Sequence, residues 1–223
     1  MRSLRSRRHG PGFSAVLTLV LVLAGWGGAP TVSAQVRQFR VDPQISAVRL
    51  LVYRRGALSV LAHDHVLVAK DVQGRISVDG GDLGRSTVSL RVGAAAFEVD
   101  APAERQKAGF LSELTDGNRK SILETMTGPE VLDAAQWPAV TAASERVSGR
   151  LPDLTLAMRV KVRDRELVLN VPLLVTVSPT QLTAKGSVDL LQSAFGITPY
   201  ETLFGAIAVQ DKIVVQFDIV AVP

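Results

Sequence analysis

The sequence predicts a mainly β protein that folds as an antiparallel barrel or sandwich. Beyond residue 34, most of the chain alternates apolar and polar residues, as strands do when one face lies in an apolar interior and the other in water. Turn-forming Gly, Pro, Asp and Ser residues separate these stretches at short intervals. About eight such stretches are typical of antiparallel barrels and sandwiches. The chain has no cysteine, so its core must stabilise the fold without disulfides.

Apolar residues occupy every second position in the predicted strands. The clearest alternation covers 72–78, 88–92, 154–162 and 213–221, and further predicted strands cover 47–53, 140–144, 166–177 and 182–190. The inner positions are rich in Leu, Val and Ile and contain few aromatic residues. A small barrel with such an interior either is filled by side chains or holds one ligand. These residues alone leave both alternatives open.

A segment from about residue 103 to residue 135 interrupts the strand pattern with apolar residues at helical spacing. These residues are Ala108, Leu111, Leu114, Ile122, Met126, Val131 and Leu132. Two or three short helices here would cap one mouth of a barrel. We interpret the charged run 104–107 as an exposed helix face, and Glu98 and Asp100 as solvated carboxylates beside a turn.

The first 34 residues have the three parts of a secretory signal peptide. A basic start with four arginines precedes a short apolar stretch and then small residues that end at Ala34. The pair Arg7 and Arg8 suggests twin-arginine export, but the residues that follow the pair favour the general secretory route. We predict cleavage after Ala34, one domain over residues 35–223, and a periplasmic or secreted location.

The predicted mature chain is electrically balanced. The full sequence has 25 Lys and Arg residues against 21 Asp and Glu residues, and four of the arginines belong to the predicted signal peptide. Basic and acidic residues are therefore equal in number after cleavage. This balance gives no electrostatic basis for binding nucleic acid or an anionic membrane surface. We predict neither partner, and no stable membrane insertion after cleavage.

Two histidines, His63 and His65, stand out in an apolar run. On a strand both imidazoles would project from the same face, and imidazole suits zinc and copper. The mature chain offers no third histidine and no cysteine to complete such a site. Three interpretations stay open: hydrogen bonding within a barrel rim, polar contact with a ligand, and metal binding. Because donors are missing, we predict no metal ion or other cofactor.

Nucleophilic catalysis has no support in the sequence. It requires a serine or cysteine with a nearby base and an orienting acid. Serines are plentiful, but no Gly-x-Ser-x-Gly motif is present. We therefore predict no catalytic residues and no enzyme. An enzyme or metal-binding protein centred on His63 and His65 is the alternative, and a structural module with a filled interior is a third.

Six short segments carry motifs in a fixed order, at 39–46, 73–76, 132–144, 148–162, 191–197 and 211–215. They include Leu-Asp-Ala-Ala-Gln-Trp-Pro from residue 132 and Leu-Gln-Ser-Ala-Phe-Gly-Ile from residue 191. In this order they resemble the YceI-like family of bacterial secreted proteins. Gln192 and Ala194 depart from that family, whose members tend to have Arg and Asp there.

The resemblance implies a lipocalin-like antiparallel barrel of about eight strands, with the short helical insert near one mouth. It also implies a long apolar tunnel that binds a polyisoprenoid or similar amphiphilic lipid, and no catalytic residues. We expect the apolar partner to be an isoprenoid lipid or a quinone. The predicted ligand contacts are Phe110, Leu111, Trp137 and Phe195, with His63 and His65 bonded to a polar head group such as a quinone carbonyl.

Overall fold

The computed structural model describes residues 35–223 and confirms a mainly β antiparallel barrel. Its strands are β1 (Val36–Val41), β2 (Ala47–Arg55), β3 (His65–Ala69), β4 (Val72–Asp79), β5 (Thr87–Gly93), β6 (Phe97–Val99), β7 (Ala139–Arg150), β8 (Asp153–Val162), β9 (Arg165–Val177), β10 (Leu182–Leu191), β11 (Glu201–Thr202) and β12 (Ile207–Val222). Two helices, α1 (Pro102–Ala108) and α2 (Asp116–Thr127), lie between β6 and β7.

Eight of these strands close the barrel in the order β1-β4-β5-β7-β8-β9-β10-β12, with every pair antiparallel. The last and longest strand, β12, returns to β1 through the pairs Ala221–Val41 and Val222–Arg40. The same edge of β12 pairs earlier along its length with β2, which carries β3 and β6 in turn. Strand β12 therefore belongs both to the barrel and to an extension of its sheet that consists of β2, β3 and β6.

The alternation that predicted the strands is the pattern of burial in the structure. In β8, Leu154, Leu156 and Met158 are buried, whereas Arg159 between its inner positions is exposed. All eight predicted strands correspond to strands of the fold. The inward side chains form the main apolar core of the barrel.

Strand β3 was not predicted, because it does not alternate. All four residues from Val66 to Ala69 are buried. Leu67 and Ala69 belong to the main core, while Val66 and Val68 pack on the opposite side with Leu51. A strand covered on both faces is apolar throughout, and a short apolar run carries no period by which to recognise it.

The predicted helical insert is present as two helices followed by a turn. Helix α1 begins at Pro102, where proline is accepted, and ends at Ala108; the next residue, Gly109, caps it with a left-handed φ of 75°. Helix α2 begins with a capping box formed by Thr115 and Asn118. Three of its apolar side chains pack against the main core, namely Ile122, Leu123 and Met126.

The predicted signal peptide lies outside the described residues, so cleavage after Ala34 stays a prediction. Among the helices that the structure describes, none combines the length and the apolar character needed to cross a membrane.

Close packing between neighbouring strands explains why residue 74 is a glycine. A Cβ atom on Gly74 would lie 2.5 Å from Leu90 Cδ2 and 2.7 Å from the backbone oxygen of Ser89. We expect Gly74→Ala to lower the free energy of unfolding by about 1–3 kcal/mol, as overpacked core substitutions do. Urea unfolding followed by circular dichroism measures this. The control is Gly80→Ala, since only the oxygen of Gln35 comes within 4 Å, at 3.8 Å; equal stability of both variants would contradict the packing argument.

Candidate functional site

The barrel encloses an apolar cavity of about 290 Å³. Most of its lining comes from β2, β4, β5, β7, β8, β9, β10 and β12, and residues of β6 and of the connecting segments complete the wall. Representative wall residues are Leu50, Ile76, Leu90, Ala142, Met158, Leu169, Val171, Val188 and Phe217. Among the described residues, its only polar lining comes from Ser86, Thr141 and Gln192. None of the described residues that line the cavity has an ionisable side chain.

A tight turn after β10 contributes to this wall. Phe195, Gln192 and Ile197 are all buried and all line the cavity. The Gln192 side chain donates from Nε2 to the carbonyl oxygen of Gln210 at 2.8 Å, so its amide is already partnered within the protein. The backbone N–H and hydroxyl of Ser193 donate to Asp211, and these bonds lower the pKa of that carboxyl. The turn is therefore fixed to β12.

Of the four predicted apolar contacts, the structure places Phe195 on the cavity wall and the other three elsewhere. Phe110 packs edge-on against Tyr53, with ring centroids 5.8 Å apart, in the second apolar cluster beside β3. Leu111 is 93% exposed. Trp137 is half-buried, and its backbone N–H donates to Asp133. Leu132, from the turn after α2, does line the cavity. Contact of these three with a ligand stays a prediction.

The two histidines lie beside a buried ion pair that the sequence did not predict. Asp100 is fully buried, and its Oδ2 lies 2.7 Å from His65 Nδ1. Its Oδ1 accepts a hydrogen bond from the Val66 backbone N–H at 2.9 Å and another from Arg105 Nη1 at 2.7 Å. Our interpretation of Asp100 as a solvated carboxylate was therefore wrong.

Arg105 corrects the prediction of an exposed helix face at 104–107. Only 4% of Arg105 is exposed. Besides Asp100, its guanidinium donates to the backbone oxygens of Asp64 and Ser112 and to the Ser112 hydroxyl. The side chain thus joins α1 to the residue just before β3 and to the loop after α1. The sequence did not predict that Arg105 is buried. The apolar residues at helical spacing begin at Ala108 and do not include it, and the neighbouring strand β3 was not predicted because it does not alternate.

Hydrogen bonding keeps Asp100 ionised despite its burial. Burial by itself disfavours the carboxylate, but the hydrogen bonds from His65, Val66 and Arg105 outweigh it and lower the pKa of Asp100 below its ordinary value. An ionised carboxylate can only accept hydrogen bonds. The Nδ1 of His65 therefore carries a hydrogen and donates it to Asp100.

His63 joins the same network through a serine. Its Nδ1 lies 3.2 Å from Ser112 Oγ, and that oxygen accepts a hydrogen bond from Arg105 Nη2 at 2.7 Å. Partial burial lowers the pKa of His63, and the nearby His65, Arg105 and Arg54 lower it further. This favours a neutral imidazole at His63.

Both histidines line a second, smaller pocket of about 230 Å³. The rest of its lining is mixed in polarity and consists of Ala62, Leu114, Asn118, Ser121, Ile122, Tyr200, Ile207, Ala208 and Val209. Within residues 35–223, no group of three or more His, Cys, Asp or Glu side chains is placed to hold a metal ion. The chemistry that this pocket offers is hydrogen bonding next to apolar contact.

Breaking the buried ion pair should destabilise the fold. We expect Asp100→Asn to lower the free energy of unfolding by about 3–5 kcal/mol at neutral pH, because Arg105 would be left buried without a counter-charge. Urea unfolding measures the loss. The matched control is Glu98→Gln, two residues away and half exposed in its pair with Lys70, which should change stability by less than about 0.5 kcal/mol. Similar effects of both substitutions would contradict the account.

The same carboxylate predicts an acid limit on stability. The pKa of Asp100 is lowered by folding, so its contribution is present above the ordinary carboxyl pKa and is lost as the pH falls through the lowered value. We expect the wild-type free energy of unfolding to fall between about pH 5 and pH 2 more steeply than that of Asp100→Asn. Parallel curves for the two proteins would contradict it.

Comparison with known proteins agrees with the fold. The model of the YceI-like domain matches residues 39–221. The structure of BcnA from Burkholderia cenocepacia is similar, with a TM-score of 0.62 and 16% sequence identity over 81% of this chain and 98% of that chain. A YceI protein from Campylobacter jejuni has a TM-score of 0.53 and 10% identity over 70% of this chain and 84% of that one.

A search of curated proteins finds no match to the chain. The family match nevertheless covers nearly all of the described residues, and the two solved structures share the barrel fold. The chain belongs to the YceI-like family.

Proposed function

We propose that this protein binds and sequesters a long apolar amphiphile, a polyisoprenoid or a prenylated quinone, in the barrel cavity. The observation that carries the proposal is the cavity of about 290 Å³ with an almost wholly apolar wall. In a purely structural module, side chains would fill this space. The family and the barrel fold are consistent with a hydrophobic ligand.

The apolar side chains of the cavity wall favour a hydrocarbon ligand. Each CH₂ group moved from water into such an interior contributes about 0.8 kcal/mol, so a chain of many carbons binds without any charged contact. A polar group placed among these side chains would lose its hydrogen bonds to water and find few replacements. The part of the ligand inside the barrel is therefore an aliphatic chain, and branched side chains such as Val171 and Val188 suit branched prenyl units.

Binding rather than catalysis fits this site. General acid–base catalysis needs a titratable side chain within hydrogen-bonding distance of the reacting group. The described cavity wall offers apolar side chains, one serine, one threonine and the partnered amide of Gln192. We therefore assign the cavity a carrier or storage role.

We place the protein in the periplasm or outside the cell, because its first 34 residues have the pattern of a signal peptide. Expression of the full chain in a Gram-negative bacterium, followed by fractionation and N-terminal sequencing, tests this. We expect the protein in the periplasmic fraction with Gln35 as its first residue. A cytoplasmic protein that retains residues 1–34 would contradict the proposal.

A pair of neighbouring alanines tests the cavity. Ala142 lines the cavity, whereas Ala143, the next residue of β7, is exposed. We expect Ala142→Phe to weaken uptake of a C20 prenylated quinone at least tenfold, since the ring takes the space of several methylene groups at ~0.8 kcal/mol each. Equilibrium dialysis with the labelled quinone measures uptake, and circular dichroism checks folding.

The control for this test is Ala143→Phe, which adds the same ring to the outer face of the same strand. It should bind the quinone as the wild type does. Equal loss in both variants, or no uptake by the wild type, would contradict binding inside the barrel.

A further inference from the structure

We propose that an exposed apolar cluster at one end of the barrel docks the protein on a phospholipid bilayer, from which the protein collects its ligand. The cluster consists of Val60, Leu61, Leu111, Leu203 and Phe204, which belong to three loops. The inference rests on the proposed function, because a water-insoluble amphiphile resides in a bilayer. The contact is peripheral, so it agrees with our prediction of no stable membrane insertion.

The five side chains of the cluster lie in water to a degree that is uncommon for apolar residues. Phe204 is fully exposed, Leu111 is 93% exposed and Val60 is 80% exposed, while Leu61 and Leu203 are each more than half exposed. Single exposed apolar residues are ordinary on a protein surface. A group of them in one region instead marks a surface that another molecule covers.

Hydrogen bonds bring the three loops together. The loop after β2 contacts the loop before β12 through the Leu58 backbone N–H, which donates to the carbonyl oxygen of Ala206 at 2.8 Å. The loop after β2 also contacts the loop after α1, since His63 Nδ1 lies 3.2 Å from Ser112 Oγ. Ser112 is the residue next to Leu111 in the sequence. The apolar side chains of the three loops therefore lie in one region, although they are far apart along the chain.

The backbone at Leu203 and Phe204 exposes these side chains at an energetic cost. Both residues have a left-handed conformation, with φ of 49° and 57°, and Gly205 follows with φ of 81°. Bulky residues rarely adopt this conformation, because their Cβ atom comes too close to the following carbonyl oxygen. Pairing of β11 with β12 on either side holds the turn in place. Such strain is typical of functional sites, and here it holds two apolar side chains out in water.

Charges of both signs surround the cluster. Arg54 Nε lies 3.8 Å from Asp64 Oδ2, and Arg55 Nη2 lies 3.6 Å from Glu201 Oε2. All four side chains are at least partly exposed. A zwitterionic phospholipid has an ammonium and a phosphate in each head group, so both kinds of charge find a partner on its surface. The surroundings of the cluster thus suit a bilayer without an excess of anionic lipid, in agreement with the balanced charge of the predicted mature chain.

A bilayer suits this surface better than a second protein does. Stable protein interfaces need closely packed, complementary surfaces of about 800 Å² on each partner. Here exposed side chains come from separate loops, and a fluid layer of head groups and acyl chains receives them without a matching shape. Each Leu or Phe side chain that enters this layer removes apolar area from water, which is how peripheral proteins bind membranes.

The cluster lies beyond one end of the barrel cavity. Ile197 lines the cavity, and Leu203 follows it by six residues, which span at most about 22 Å of chain. Along β12, Ile207 pairs with Thr202 beside the cluster, and the cavity lining begins at Ile213. When the cluster rests on a bilayer, this end of the cavity is therefore near the membrane surface.

Vesicles of palmitoyl-oleoyl phosphatidylcholine without prenyl lipid test the docking separately from ligand uptake. Wild type and variants are purified from the periplasm of one Gram-negative host, so that all share one N-terminus. We expect the wild type to float with the vesicles in a sucrose gradient. The double substitution Leu203→Ser with Phe204→Ser should weaken vesicle binding at least about tenfold, because two apolar side chains no longer enter the bilayer.

The matched control is the double substitution Val168→Ser with Leu174→Ser, which removes two exposed apolar side chains from β9. Leu174 is exposed to the same extent as Leu203, 56% against 57%. This control should bind vesicles as the wild type does. Circular dichroism checks that all proteins are folded.

Ligand collection is measured with vesicles that contain the C20 prenylated quinone. The Leu203 and Phe204 double variant should acquire the quinone at least about tenfold more slowly than the wild type, since docking precedes uptake. In equilibrium dialysis without vesicles it should bind the quinone as tightly as the wild type, because neither substituted residue lines the cavity.

The outcomes separate this inference from the proposed function. Wild-type protein that stays out of the vesicle fraction, or equal loss of binding in both double variants, would overturn the docking surface and leave the cavity proposal standing. A wild-type dimer that the substitutions at Leu203 and Phe204 abolish, without vesicle binding, would overturn it too, because a second copy would then cover the cluster. Vesicle binding without any quinone uptake would support the docking surface and overturn the proposed function.

A single substitution on another loop keeps the test decisive if the double variant fails to fold. Leu111→Ser should weaken vesicle binding at least about threefold. Unchanged binding in folded Leu111→Ser would overturn the inference.

Discussion

Strand pairing along β12 is the interaction on which the rest of the structure depends. This strand of 16 residues pairs with β10 on one edge and with β2 and β1 in succession on the other. Through β1 it closes the barrel and so encloses the cavity. It also pairs with β2, which pairs in turn with β3, and His65 is the first residue of β3. The register with β2 shifts between Val209 and Ile213, which is also where the lining passes from the second pocket to the cavity.

The barrel cavity and the second pocket differ in the polarity of the side chains that surround them. The barrel interior has almost no polar groups and therefore suits hydrocarbon without orienting it. Beside it, Asp100 and Arg105 are buried charges that satisfy one another and hold two imidazoles in place. Such networks are costly unless every member has a partner, and here the carboxylate accepts from a backbone N–H, a histidine and an arginine. An apolar cavity and a separate pocket of mixed polarity are consistent with the amphiphilic ligand that we propose.

Alternation predicted seven of the eight barrel strands, together with β2 and the helical insert, because a half-buried strand and an amphipathic helix each have a period. Strand β1 was indicated only by the motif at 39–46. The sequence did not predict β3, whose residues are buried on both sides, and this omission had further consequences. Without β3 there was no partner for Phe110, which packs on that strand, and no reason to bury Asp100 or Arg105. Whether the interior is filled or hollow depends on summed side-chain volumes around a closed wall, which alternation alone does not specify.

The central claim is that the barrel is a container for an apolar molecule, and native mass spectrometry of the purified protein tests it most directly. The account predicts protein with an adduct of about one hydrophobic molecule per chain, released into organic solvent and identified as a prenyl lipid or quinone. Protein that carries no such molecule, and acquires none when incubated with a total bacterial lipid extract, would contradict the account.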